Sequence, residues 1–308
     1  DFFKNGEGIG FKESLSDQQY EDLCNFEGNA NGFKIISENK AGIKGGLRLS
    51  YATLGAFTKY PRKSVLDKKS GHIKDKKYGF FHSQNTFFDE VANELGMVDS
   101  NGEYMRHPLA YLVEAADDIC YTLIDFEDGI NLGWISEEYA LEFLIRLVKD
   151  SIDTKKYNSL KHKTDRVAYL RALSVNTLIN DTVKIFLANE EKILNGQFTK
   201  TILSESVFKA QMKDIIDISV RKVYNSKEVI EKELKGYQVI HKLLSVFIKA
   251  SVNNQSDNTT ALDDLVLSSL PQAYIHKDGN LYDQLLDISC FVASLTDGNA
   301  LEWYNKIS

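Results

Sequence analysis

The chain has 308 residues, 43% of them hydrophobic and 26% charged, with a net charge of -7. That composition is ordinary for a globular protein and gives enough chain to bury a substantial core in one domain or two. It excludes several classes: the acidic balance argues against a general nucleic-acid coat, which carries a basic face, and no apolar run approaches the roughly 18 residues that span a membrane. Cys24, Cys120 and Cys290 are too few and too dispersed for a disulfide framework or a thiolate metal site, and they point to a reducing, cytoplasmic compartment.

Residues 1–18 read as an irregular lead-in, with glycines at 6, 8 and 10. Ser16 is placed to cap a helix over 17–36 that buries Tyr20, Leu23, Phe26, Phe33 and Ile36. Glu27, Asn29 and Asn31 form a polar face within it. The Gly-rich break at 41–46 is no phosphate-binding P-loop, because no Gly-Lys-Ser/Thr follows a strand. A helix over 47–59 leads into the most basic stretch, 59–77, where Lys59, Arg62, Lys63, Lys68, Lys69, Lys74, Lys76 and Lys77 face only Asp67 and Asp75. Most of these lysines suit a solvated loop, although a polyphosphate needs such cations and single-stranded DNA could use them too. His72 and His82, in or near this stretch, have no partner at a ligand spacing. A helix over 81–97 and a turn at Asp99-Ser100-Asn101-Gly102 follow.

Next comes Arg106-His107-Pro108-Leu109-Ala110-Tyr111-Leu112-Val113-Glu114-Ala115-Ala116-Asp117-Asp118-Ile119-Cys120-Tyr121-Thr122-Leu123-Ile124-Asp125. At about 100° per residue, Glu114, Asp117, Tyr121 and Asp125 fall within a quarter turn of one another. The rest of the circumference is apolar, the pattern of a buried helix, with Pro108 just inside its start. Buried carboxylates need a cation, a partner or a function. The stripe therefore reads equally as a metal or substrate site and as a row paired with Lys or Arg of neighbouring helices. His107 suits a structural place at the helix start as well as a functional one.

Further helices are expected over 136–152 with Ser136 as cap, over 165–194 as one long or kinked helix stopped at Gly196, and over 204–224, 227–250, 261–270 and 281–295, with Trp303 tucking down the tail. Residues 251–260 read as a polar loop. Three prolines and no sustained alternation predict an all-α fold. There is no internal repeat and no clear linker.

The run from His107 to Ile119 closely resembles the segment of bacterial deoxyguanosine triphosphate triphosphohydrolases, members of the HD superfamily, that supplies the last metal ligand. Glu27-Gly28-Asn29-Ala30-Asn31-Gly32-Phe33, Leu49-Ser50-Tyr51-Ala52-Thr53-Leu54, Lys59-Tyr60-Pro61, Lys77-Tyr78-Gly79-Phe80-Phe81, Asn189-Glu190-Glu191-Lys192-Ile193-Leu194-Asn195-Gly196 and Gly236-Tyr237-Gln238-Val239-Ile240 resemble the family's blocks in the family's order, and Thr296-Asp297 fits its closing helix. The resemblance implies an HD-type helical fold incomplete at its N-terminus. Residues 1–135 would be the C-terminal part of the catalytic core and 136–308 a helical region packed on it. No His-Asp dipeptide occurs, so the family's HD signature is expected upstream, three of four metal ligands with it, and this chain alone is expected to be inactive.

Carried over residue by residue, the resemblance makes Asp117 the remaining ligand for Mg²⁺ or Mn²⁺ and sets Glu114 and Asp118 behind it as orienting groups. Asn29 joins the substrate-facing set, and Lys59, Tyr60 and Lys77 face the triphosphate. Tyr121 packs on the deoxyribose, where it would exclude a ribose hydroxyl, and Asp125 accepts from the 3′-hydroxyl. The implied substrate is a dNTP, dGTP favoured, in a homo-oligomer. The alternatives are another HD phosphohydrolase, acting on a cyclic nucleotide or guanosine tetraphosphate, and a non-enzymatic helical module binding nucleic acid or a protein partner.

Overall fold

A computed structural model describes residues 1–38, 46–65, 73–275 and 279–307. The expectations placed on the Gly-rich break at 41–45, on Lys68 and Lys69 and on His72 lie outside the described residues. Helices α1 (Phe2–Asn5), α2 (Asp17–Cys24), α3 (Gly28–Ser37), α4 (Tyr51–Phe57) and α5 (Asn85–Glu94) precede the central α6 (Ala110–Asn131). Then come α7 (Glu137–Val148), α8 (Thr154–Ser159), α9 (Lys163–Ala188), α10 (Glu190–Leu194) and α11 (Lys209–Ser219). The chain continues through α12 (Lys227–Gln255), α13 (Ala261–Ser269), α14 (Leu281–Ser294) and α15 (Asp297–Ile307). Among the described residues the only β pairing is an isolated bridge between Val98 and Tyr104. The fold is all-α and fits an HD-type helical fold, and no described helix is long and apolar enough to cross a membrane.

Side-chain caps set several of the helix boundaries. Ser16 and Gln19 make a reciprocal capping box on α2, which satisfies amide groups that the first helical turn leaves open. The helix expected over 17–36 is two helices: α2 ends at Cys24 with Asn25 as its C-cap, and Glu27 caps α3 by accepting from the Asn29 amide. Ser136 stands at the N-cap of α7 but its side chain makes no cap bond. Pro108 lies two residues ahead of α6, where the His107 ring accepts from the Leu109 amide at 3.2 Å. The structural reading of His107 therefore has a concrete basis. At the turn before it, Asp99 accepts from the amides of Asn101 and Glu103, both at 2.8 Å, and Gly102 takes φ +79°, a left-handed conformation that glycine adopts without strain.

Three hydrophobic cores hold these elements. The largest gathers Ile119, Leu123 and Phe126 of α6 with Leu144 of α7, Leu170 and Leu178 of α9 and Ile215 of α11. A second joins the two ends of the described chain, with Phe2, Phe3 and Leu23 against Phe247, Tyr282 and Leu286. Trp303 completes it, edge-on to Phe247 at 5.2 Å between ring centres. The third, around Phe33, Phe80 and Phe88, packs α3 and α5 beneath α4.

A buried acid pins the second core. Asp22 is fully buried, and its carboxylate accepts from the His82 amide at 2.7 Å and the Tyr282 hydroxyl at 2.5 Å. Burial pushes its carboxyl above the ordinary range, although these hydrogen bonds pull the other way. The unfolded chain therefore loses this proton first, and Asp22 costs stability as pH rises from its unfolded pKa, near about 4, through the raised folded value. We expect Asp22→Asn, measured by urea denaturation, to gain stability relative to the wild type across that window. A difference that stays flat with pH would contradict this assignment.

Candidate functional site

Helix α6 was expected to be buried nearly all round, and the structure corrects that expectation. Its inner side is buried at Tyr111, Ala115, Ile119 and Leu123, but Val113 is 41% exposed, Ile124 43% and Tyr121 60%. The polar stripe runs along the border between these two sides. Packing on one side by α9 and α11 turns Asp117 outward, and its side chain is 64% exposed.

Each stripe carboxylate has a partner here, and the partners divide the site into two ends. At the first end, Lys59 Nζ lies 2.7 Å from Asp117 Oδ2. One turn earlier, Arg106 Nη1 lies 3.0 Å from Glu114 Oε2 in a pair that is almost wholly buried, with the guanidinium 4.2 Å from the centre of the Tyr111 ring. Asp118 follows one turn after Glu114 on the same helix. Its carboxyl is pushed up by the surrounding protein and by Glu114, while Lys59 draws it down.

The loop after α4 brings Lys59 and Tyr60 to this end. Thr58 closes α4 by donating to the Leu54 carbonyl, and the chain then runs beside the segment around Gly79, whose amide donates to Arg62 O. Only glycine fits at that crossing, because a Cβ on Gly79 would stand 2.3 Å from Tyr60 O. The crossing sets Lys77 on the same wall as Tyr60. Lys77 pairs with Glu27 at 3.4 Å, and Glu27 also accepts from the Asn29 side chain at 2.8 Å. Tyr60 is buried between the two groups, and burial with the charges of Glu114, Asp118 and Glu27 pushes its phenol up to about 12. A cavity of about 670 Å³ opens on the lysine side, lined by Lys12, Glu27, Arg62, Lys76 and Lys77.

The second end lies further along α6. Asp117 and Asp125 are eight residues apart, roughly 12 Å along the helix axis, so the structure does not bring them together. Asp125 accepts instead from the Tyr224 hydroxyl, and burial and this bond push the Tyr224 phenol well above its usual range. The Tyr121 and Tyr224 rings lie nearly parallel, 29° apart with centres at 6.0 Å. They line a second cavity of about 380 Å³ together with Asp118, Thr122, Met212 and Ser219.

Sequence reasoning assigned no role to Arg106 or Tyr224. Arg106 opens the singled-out run, and a basic residue just ahead of a helix carrying an acid one turn in is a signal that could have found it. Tyr224 had none, being 99 residues from Asp125. For a metal, the described residues are not enough: no group of three or more His, Cys, Asp or Glu side chains converges on one point. Asp117 offers a single carboxylate, and its partner is an ammonium. What the arrangement can do is hold an elongated ligand along α6, with cations at one end and aromatic rings at the other.

Fold and site thus define an all-α protein with an anion-facing end and an aromatic end on one helix. A deoxyguanosinetriphosphate triphosphohydrolase-like protein of Synechocystis is 32% identical over 296 residues, which cover 93% of this chain and 66% of that protein. A protein of the same description from Pseudomonas aeruginosa is 30% identical over all of this chain and 71% of its own length. A deoxyguanosinetriphosphate triphosphohydrolase of Cronobacter sakazakii is 25% identical over 98% of this chain and 67% of its own. No family model matches the chain. The chain belongs to the deoxyguanosinetriphosphate triphosphohydrolase-like family, and it spans about two thirds of the length of the curated relatives it matches.

Proposed function

We propose that the protein hydrolyses a deoxynucleoside triphosphate, dGTP favoured, at the α-phosphate and releases the deoxynucleoside and intact triphosphate. The observation that carries this reading is the order of groups along α6: Lys59 at Asp117, then Tyr121, then Asp125. That order suits a ligand with an anionic head and an apolar body. Lys59 and Lys77 would offset charge on the triphosphate, where fixed cations contribute most as charge develops. Tyr121 would close against the C2′ edge of the sugar, and Asp125 would accept from the 3′-hydroxyl in place of Tyr224. Asp117 would be one ligand of Mg²⁺ or Mn²⁺, hard cations suited to carboxylates. Glu114 and Asp118 would sit behind it, the first held by Arg106. The described residues do not complete that metal's cage.

Steady-state kinetics on the product of the complete gene test this reading. dGTP should be used in strong preference to GTP. Asp125→Ala should raise KM for dGTP by about ten- to hundredfold, the scale of one hydrogen bond to a charged group, with a smaller change in kcat. Equal use of GTP, or an unchanged KM in the variant, would count against the sugar-facing roles.

A further inference from the structure

The first residues of the chain lie along one face of α12, in register with it. The Tyr237 hydroxyl donates to Asp1 at 2.7 Å, the His241 ring meets Phe2 edge-on with centres 5.5 Å apart, and the Ser245 hydroxyl donates to Glu7 at 2.5 Å. Positions 237, 241 and 245 lie on successive turns of a helix, so residues 1–7 and α12 run in the same direction. Phe2 and Phe3, buried in the second core, hold the segment there. Toward the start of α12 the same face continues through Leu234 and Ile230, three and seven residues before Tyr237 and, at about 100° per residue, within about 60° of it. The described residues leave it uncovered: Leu234 is 63% exposed and Ile230 43%. Around them the sequence is charged, with Lys227, Glu228, Glu231, Lys232, Glu233 and Lys235. An exposed apolar side chain standing singly needs no explanation, but these two extend the line of an occupied interface.

We propose that Leu234 and Ile230 form the docking surface for the segment that precedes Asp1 in the product of the complete gene. The match to the Synechocystis protein takes in 66% of that protein's length, so the relative carries chain beyond the part matched here. Consecutive Cα atoms are about 3.8 Å apart, so the residue before Asp1 emerges beside the Tyr237 side chain, one turn of α12 from Leu234. Covalent continuity thus favours this occupant over a second copy of the chain. Seven residues of α12, roughly 10 Å, separate Tyr237 from Ile230, and a helical segment of similar length passes both. The chemistry that fits is amphipathic: apolar side chains three or four residues apart against Leu234 and Ile230, and a polar edge beside the flanking lysines and glutamates. Docking there ties the segment to the helix whose cap, Ser226, follows directly after the Tyr224 turn.

The test is photo-crosslinking in the product of the complete gene, with p-benzoylphenylalanine in place of Leu234 and the cross-linked peptides read by mass spectrometry. The expected product is a cross-link within one chain to a peptide from about the ten residues before Asp1. The same probe at Leu265, 68% exposed on α13, should not reach that segment. A cross-link from position 234 to a second copy, seen as a band of twice the mass on a denaturing gel, overturns the proposal, as does one to residues beyond Ser308 or none at all. A second measurement needs no probe. Leu234→Asp should lower the melting temperature by about 3 °C or more, because a charge would be buried under the docked segment, whereas Leu265→Asp should leave it unchanged. Equal melting temperatures for Leu234→Asp and the wild type also overturn the proposal. Neither readout depends on the reaction, so failure of the hydrolase reading leaves the docking surface standing, and its own failure leaves that reading untouched.

Discussion

Asp117→Ala in the product of the complete gene is expected to lower hydrolysis of dGTP by about three orders of magnitude or more, the effect of removing several kcal/mol of charge stabilisation. The same substitution should barely touch the fold. Asp117 is mostly exposed, and its one bond is to Lys59 at 2.7 Å. Such a pair contributes at most about 1 kcal/mol to stability. Kinetics and denaturation therefore separate its two possible roles cleanly: a structural ion pair would move neither by much, whereas a working carboxylate moves only the first. Near-normal turnover in the variant would end the metal-ligand assignment.

Glu114 presents the opposite case. It and Arg106 are 6% and 2% exposed at their side chains, and Nε and Nη2 of Arg106 already lack hydrogen-bond partners among the described residues. Glu114→Ala would leave a buried guanidinium with the Tyr111 ring as its nearest compensation. We expect a loss of about 3–5 kcal/mol in urea denaturation, the range found when one partner of a buried pair is removed. Replacing both, as Arg106→Leu with Glu114→Leu, should recover most of it, because desolvating the pair offsets much of its attraction. A single variant as stable as the wild type would show that the pair holds nothing in place.

These two residues also show how far a sequence can be read. Their position on one face of a helix followed from periodicity, and the cap at Ser16 and the turn at Asp99 from local residue preference. Periodicity is a local property, however, and the partners that define the site come from far away. Lys59 is 58 residues from Asp117 and Tyr224 is 99 from Asp125, and both arrive by packing that no local pattern encodes. The same limit explains the error about α6. An apolar circumference shows that a helix can be buried on every side, whereas the described elements, chiefly α9 and α11, leave Val113, Tyr121 and Ile124 exposed. The break before Glu27 was missed because a glutamate cap on a Gly-Asn start is weaker evidence than a serine cap such as Ser16, and the helical pattern continues across it.

The central claim is the bond that is broken. Incubating the product of the complete gene with dGTP and Mg²⁺ or Mn²⁺, and resolving the products by anion exchange, tests it most directly. Deoxyguanosine and intact triphosphate in equal amounts are the predicted result, placing the cleavage at the ester link between the sugar and the α-phosphate. Pyrophosphate with dGMP, or free phosphate with dGDP, would place the broken bond elsewhere and contradict the account.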